Sequence, residues 1–320
     1  GGLGTDTDIA MMAFDVIQPE TFQYCLTKGN NYIYRRNTGV SDNWTAILTP
    51  VQATALAQAA GYDGATTSPR IYSIQTNPAN AGYIYCTFGI GPGYTLAPPH
   101  SGFYFGVSYD YGDTWVFYTI VRSTWRNNNG CGLISWHQSG VVVWVTVGSS
   151  LAGRNIFRST DGGENWGDFS LVAYDKQRRW TAYNEMDIAV VSDQLWVAFI
   201  RTEYRGVPNE SAWMSRAISM DGGRTWSQPE LCFDRGVPTV EVLPDGGIVV
   251  GASGALHFTY NLGRTWTRVA PAGGYAVPFL LNSNTLLVGN WQQLWGMVGT
   301  KGGITFDVWR RVSAGESASE

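Results

Sequence analysis

The chain has 320 residues, of which 44% are hydrophobic and only 14% charged, with 39 glycines and 14% aromatic side chains. That mixture argues against disorder and helical bundles and for many short strands joined by tight turns. A net charge of −4 argues against nucleic acid as a partner, and no apolar run approaches the roughly 18 residues of a bilayer-crossing helix.

In chain order, the opening GGLGTDTD carries no signal-peptide pattern and reads as the remainder of a longer precursor or of a tag. Pro50–Ala60 is Ala-rich, with Pro near its start and Gly61 behind it, and predicts a short surface helix inserted in the first sheet unit. Between glycine-, asparagine- or proline-containing turns, the runs GYIYCTFGIG, GVVVWVTVG, QLWVAFI, GGIVVGAS and NTLLVGN read as strands. The end, SAGESASE, reads as a linker to something further on. Cys25, Cys86, Cys131 and Cys232 are far apart, without CxxC spacing, and are expected as buried thiols, with two disulfides as the alternative. His100, His137 and His257 form no metal-ligand motif, and neither metal nor cofactor is expected.

One pattern, S-x-D-x-G-x-x-W, recurs at Ser108–Trp115, Ser159–Trp166 and Ser219–Trp226. A near copy spans Thr259–Trp266 with Asn261 in place of Asp, a worn one lies at Gly299–Phe306, and a distant candidate is Arg35–Trp44. Repeats at intervals of about 40 to 60 residues point to a propeller or array. The local physics is a turn in which Asp accepts backbone N–H groups, Gly supplies φ > 0 and Trp fills the gap between sheets.

This pattern is the Asp-box, and the chain resembles the sialidase superfamily. The resemblance implies a single six-bladed all-β propeller over 1–320, with four-stranded antiparallel blades and the boxes on the face away from the active site. On that basis Asp110, Asp161 and Asp221 are structural. The resemblance also implies a site. Glu185 heads an apolar strand, Arg201 ends the next one, and a box follows, which is the family's order of catalytic Glu and triad arginine. Arg216 is the alternative to Arg201. Arg70, in Pro69-Arg70-Ile71-Tyr72, matches in part the family's early arginine, and Tyr275 matches the placement of its nucleophilic tyrosine. A sialoside carries a carboxylate at the anomeric carbon, so converging arginines suit its recognition, while a neutral tyrosine is not repelled as a carboxylate nucleophile would be. An ordinary phenol titrates near 10, so Glu185 would have to accept its proton.

Two departures stand beside these matches. No Asp or Glu lies between Arg70 and Ser108, which leaves His100 as the proton-transfer candidate there. Gly251–Phe258, where a third arginine is expected, has none, and Arg235 lies early. An incomplete set of this kind is similar to that of phage tailspike endosialidases. That resemblance implies an endo-acting depolymerase of an acidic oligo- or polysaccharide, extracellular or on a virion surface, and a homotrimer by analogy. The rival reading is a non-catalytic glycan-binding propeller, such as an adhesin or receptor-binding protein. A third is a hydrolase of neutral polysaccharide using widely spaced carboxylates among Glu185, Asp187, Glu203 and Glu210.

Overall fold

The computed structural model describes residues 9–27, 30–62, 70–90, 102–122, 134–136, 143–149, 153–174, 181–204, 213–234, 238–252, 255–269, 275–282, 285–291 and 306–310. The first sheet holds β1 (Ile9–Phe14), β2 (Phe22–Thr27), β3 (Ile33–Asn37) and β4 (Ser41–Leu48), followed by α1 (Pro50–Ala59). The second holds β5 (Arg70–Thr76), β6 (Ile84–Ile90), β7 (Gly102–Ser108) and β8 (Val116–Arg122). The third holds β9 (Ile134–Trp136), β10 (Val143–Ser149), β11 (Gly153–Ser159) and β12 (Gly167–Tyr174). The fourth holds β13 (Thr181–Val190), β14 (Trp196–Tyr204), β15 (Trp213–Ser219) and β16 (Glu230–Asp234). The fifth holds β17 (Thr239–Val242), β18 (Ile248–Ala252), β19 (Ala255–Thr259) and β20 (Thr267–Val269). The last comprises β21 (Tyr275–Asn282), β22 (Thr285–Trp291) and β23 (Phe306–Arg310).

Every sheet is an antiparallel meander in chain order, and successive sheets meet through their first strands. The architecture is an all-β propeller of antiparallel four-stranded blades with one helix. Its cores explain the sequence pattern. Each cluster of buried apolar residues lies between one sheet and the next: Leu26 and Ile33 with Ile71 and Phe88, Phe105 and Val107 with Ile134 and Phe157, Ile156 and Val172 with Met186 and Ile200. Further along, Val197 and Phe199 pack with Ile248 and Val250, and Val249 with Leu286. A middle strand therefore buries both faces, and Trp196 to Ile200 reads as an unbroken apolar run with every residue at 0% exposure.

The helix starts as the sequence predicts. Thr49 caps it, receiving Gln52 N, and Gln52 reaches back to Thr49 N, a reciprocal capping box with Pro50 in the first turn. It sits after β4 rather than within the first sheet and buries Ala53 and Ala57 between the first two sheets. Cys25 and Cys86 are buried thiols and Cys232 is a partly covered one, while Cys131 lies outside the described residues. Burial pushes the Cys25 and Cys232 thiols up to about 12, so neither is a reactive thiolate at neutral pH.

The repeated turn connects strands three and four of its sheet and is the same object four times. The Oγ of Ser108, Ser159 and Ser219 and the Oγ1 of Thr259 accept Gly112 N, Gly163 N, Gly223 N and Gly263 N at 2.8–2.9 Å. Asp110 Oδ1, Asp161 Oδ1 and Asp221 Oδ1 accept Thr114 N, Asn165 N and Thr225 N, and Asn261 Oδ1 accepts Thr265 N in the same way. The indole N–H of each Trp donates to the glycine carbonyl three residues earlier. Trp166 then packs edge-on against Phe105 of the preceding sheet, and Trp266 against Phe199. In the β3–β4 turn, at the distant candidate, Asn37 Oδ1 accepts Gly39 N at 3.1 Å. Most of the worn copy lies outside the described residues.

Glycine is required at the close approach. Gly223 has φ 79, and a Cβ there would lie 1.9 Å from Trp196 Cζ3. Gly223→Ala is expected to destabilise the protein by about 2 kcal/mol or more in urea unfolding. Gly162→Ala, at φ 75 with open space around it, should cost only about 1 kcal/mol. Equal losses at the two positions would contradict this packing.

Partial burial works to raise the Asp110 and Asp161 pKa values, but hydrogen bonds from Thr114 and Ser108, and from Asn165 and Ser159, outweigh it and leave both carboxyls below their ordinary value. Asp221, held above all by Thr225, falls to about 2. A depressed folded-state value contributes stability that is complete above the unfolded carboxyl's range and is lost as pH falls through about 2. Asp221→Asn, which copies the Asn261 turn, should therefore flatten the loss of stability between about pH 4 and 2. Thermal unfolding against pH reads this directly, and unchanged acid sensitivity would refute it.

Candidate active site

The first strands set two distinct ends of the molecule. The ends of β1, β5, β9, β13 and β17 line one cavity of about 530 Å³, through Phe14, Thr76, Trp136, Val190 and Val242 among others. These five first strands therefore finish at that end, and β21 runs the same way, since Leu286, paired with Leu280 near its end, shares a cluster with Leu243 just beyond β17. Third strands run parallel to first strands in an antiparallel meander, so the repeated turns lie at the cavity end too. The starts of the first strands form the opposite end.

Glu185 and Arg201 meet towards that opposite end, on β13 and β14. The pairing of these strands slips between Tyr183 and Met186, and Glu185 falls in the irregularity. A bulge of this kind re-aims a side chain out of strict alternation. Here Met186 goes into the core at 0% exposure, while Glu185, 8% exposed, faces Arg201. Arg201 Nη1 lies 3.5 Å from both Glu185 oxygens, and its side chain keeps 27% exposure. That is the outer limit of a hydrogen bond, so the pair is a poor brace for a carboxylate already removed from water. Thr202, the next residue, is buried and donates from Oγ1 to Ser215 Oγ at 2.8 Å, which fixes the strand behind Arg201.

The other expected residues divide. Arg70 opens β5 and is exposed, with its guanidinium carbon 5.6 Å from the Tyr72 ring centroid. Burial raises the Tyr72 pKa, partly offset by Arg70, so the ring that Arg70 covers is neutral. Tyr275 opens β21, its backbone paired with Trp291. Both positions belong to the same end as Glu185. His100, Arg235 and Glu210 lie outside the described residues.

Arg216 is elsewhere. Its guanidinium donates to the Leu262 carbonyl, in the repeated turn of the next sheet, and to Glu230 Oε2 at 2.9 Å. It therefore braces the fourth sheet against the fifth at the cavity end and is not beside Glu185. Asp187 is also turned away: it lines the cavity and accepts Val240 N at 2.8 Å. That removes Asp187 as a partner carboxylate for Glu185 and weakens the neutral-polysaccharide reading.

Sequence reasoning did not single out the cavity itself. Asp15, directly after β1 and 1% exposed, accepts Gly82 N of the second sheet at 2.7 Å, as Asp187 accepts Val240 N of the fifth. An aspartate near the end of a first strand was the available signal. Among the described residues no group of three His, Cys, Asp or Glu could hold a metal ion, and no helix is long and apolar enough to cross a membrane.

No protein-family model and no curated protein matches the chain. Solved structures do. A Dyadobacter fermentans protein of unknown function aligns with a TM-score of 0.62 at 16% identity, over 95% of this chain and 94% of the other. The GH93 α-L-arabinofuranosidase of Fusarium graminearum, in complex with arabinobiose, aligns with a TM-score of 0.62 at 13% identity, over 96% and 95%. A PL25 polysaccharide lyase, an ulvan lyase bound to a GlcA–Rha3S repeat, aligns with a TM-score of 0.52 at 10% identity, over 88% and 78%. At these identities the likeness is one of fold.

Proposed function

We propose that the chain is a carbohydrate-active propeller whose six sheets are six blades, and that it cleaves an acidic, sialic-acid-like glycan as a sialidase-type glycoside hydrolase. One observation carries this: Glu185 and Arg201, sixteen positions apart in sequence, meet at 3.5 Å at the end of the molecule away from the repeated turns. Arg70 and Tyr275 open first strands at that same end. The glycan-acting structural neighbours support a carbohydrate substrate.

Each residue has a chemical task. Arg201 and Arg70 hold the substrate carboxylate, because a guanidinium offers a planar fork of donors. A long contact to Glu185 lets that carboxylate compete for Arg201. Glu185 accepts the proton of Tyr275 as the phenol oxygen attacks the anomeric carbon. His100 is assigned the proton donated to the leaving sugar. An endo-acting depolymerase, working outside the cell or on a virion, suits the incomplete arginine set. A non-catalytic glycan-binding propeller is the second reading, favoured by the absence of any carboxylate between Arg70 and Ser108.

Sizing the products from polysialic acid and from a small sialoside separates the readings, since shortened polymer, released monosaccharide and intact substrate are distinct outcomes. Glu185→Gln should lower the rate about 10²- to 10⁴-fold without abolishing binding. Arg201→Ala should raise KM about tenfold or more, the loss of one charge-assisted contact. Cleavage indifferent to Glu185→Gln would remove it from the mechanism, and intact substrates with tight binding would establish the binding-only reading.

A further inference from the structure

Among the described residues, the exposed aromatic side chains are Tyr109, Tyr260 and Trp213. The two tyrosines belong to repeated turns, so Trp213, at 39% exposure, is the one that stands elsewhere. It opens β15, and its backbone pairs with Thr202 on β14. Thr202 follows Arg201 directly, so the indole sits at the Glu185 end, beside the pair proposed to hold the substrate.

The strand sets the direction of this side chain. The β14–β15 pairing runs from Trp196–Ser219 to Thr202–Trp213 without a slip, so alternation along β15 is strict. Trp213, Ser215 and Ala217 therefore share a face, and Ala217 packs in the cluster between the third and fourth sheets. Along that face the cover thins towards the strand's start, from 0% exposure at Ala217 through 2% at Ser215 to 39% at Trp213. The 2.8 Å hydrogen bond from Thr202 to Ser215 ties β14 to β15 beside the indole. Neighbouring strands lie about 4.8 Å apart, which sets Trp213 on β15 about 10 Å from Glu185 on β13. That offset exceeds one sugar ring and suits the next ring along a chain.

We infer that Trp213 is a stacking platform for the sugar residue adjoining the one held at Glu185 and Arg201. The site then takes a chain of at least two sugars. This inference rests on the proposed reading of the Glu185–Arg201 end and extends it to a neighbouring subsite. The chemistry is that of an aromatic face: the indole π surface is negative and attracts the positively polarised C–H groups on the apolar side of a pyranose ring. Stacking asks for no charge on the neighbouring sugar, so Trp213 adds affinity while Arg201 selects the carboxylate. A paired strand carries the indole, which is in place before the sugar arrives, and this lowers the ordering cost of binding.

Calorimetric titration of the Glu185→Gln protein tests this, with a sialic acid trimer and a single-residue sialoside as ligands. The trimer is expected to bind about tenfold or more tighter than the single residue. Adding Trp213→Ala or Trp213→Leu should bring the two within about threefold of each other, whereas Trp213→Phe should keep most of the gain. Adding Arg201→Ala should weaken both ligands. If Arg201→Ala weakens binding, but the trimer shows no gain or its gain survives both Trp213→Ala and Trp213→Leu, the platform is overturned and the Glu185–Arg201 reading stands. Absence of binding by either ligand at millimolar concentration, or indifference to Arg201→Ala, would remove that reading and the platform with it. Because Trp213 is exposed, unchanged thermal unfolding of the variants separates lost stacking from lost fold.

Discussion

Burial of sheet faces against the neighbouring sheet is the constraint on which the rest depends. The apolar clusters lie between sheets, not within a single central core. Each sheet alone would expose an apolar face, so stability comes from stacking, as in other repeat architectures. Stacking in a fixed order makes the first strands neighbours and points them the same way. Residues distant along the chain then share an end because of their place in a strand, not their place in the sequence. Glu185, Arg70 and Tyr275 are grouped by this rule, as are Asp15, Asp187 and Glu241 at the other end.

The repeated turn holds the stack in register. Its serine or threonine and its aspartate or asparagine satisfy the turn's backbone amides, and its glycine permits contact closer than any Cβ would. The tryptophan crosses to the preceding sheet while its N–H is satisfied within the turn. Asn261 keeps the bonds to the turn's backbone amides without the charge, and its Nδ2 donates to Thr265 Oγ1 where the aspartates accept, so the negative charge of the aspartates is not what the turn requires. The charge adds acid sensitivity to a geometry that an amide also supports.

Much of this was legible in the sequence. The strand segments, the helix and the repeated turn all carry local signals: apolar runs, an Ala-rich segment between Pro50 and Gly61, and fixed spacing of Ser, Asp, Gly and Trp. The proximity of Glu185 and Arg201 was legible from their order on adjacent strands. Arg216 was misplaced because its side-chain direction depends on strand alternation and on Leu262 of another sheet, which periodicity does not encode. Asp187, one of four carboxylates in the third reading, faces the cavity because the bulge at Glu185 breaks the shared face that a two-residue spacing implies. The axial cavity had no sequence signal as a unit, because its lining comes from five separate strand ends.

The two ends now have different structure: a carboxylate–guanidinium pair on one, the cavity and the repeated turns on the other. The central claim is that the Glu185–Arg201 end receives the acidic glycan. A crystal structure of the Glu185→Gln variant soaked with a short sialic acid oligomer tests it most directly. The account predicts a sugar carboxylate within hydrogen-bond reach of the Arg201 guanidinium, at the end where the first strands begin. Sugar density confined to the turn-bearing end, with Arg201 unengaged, would contradict it.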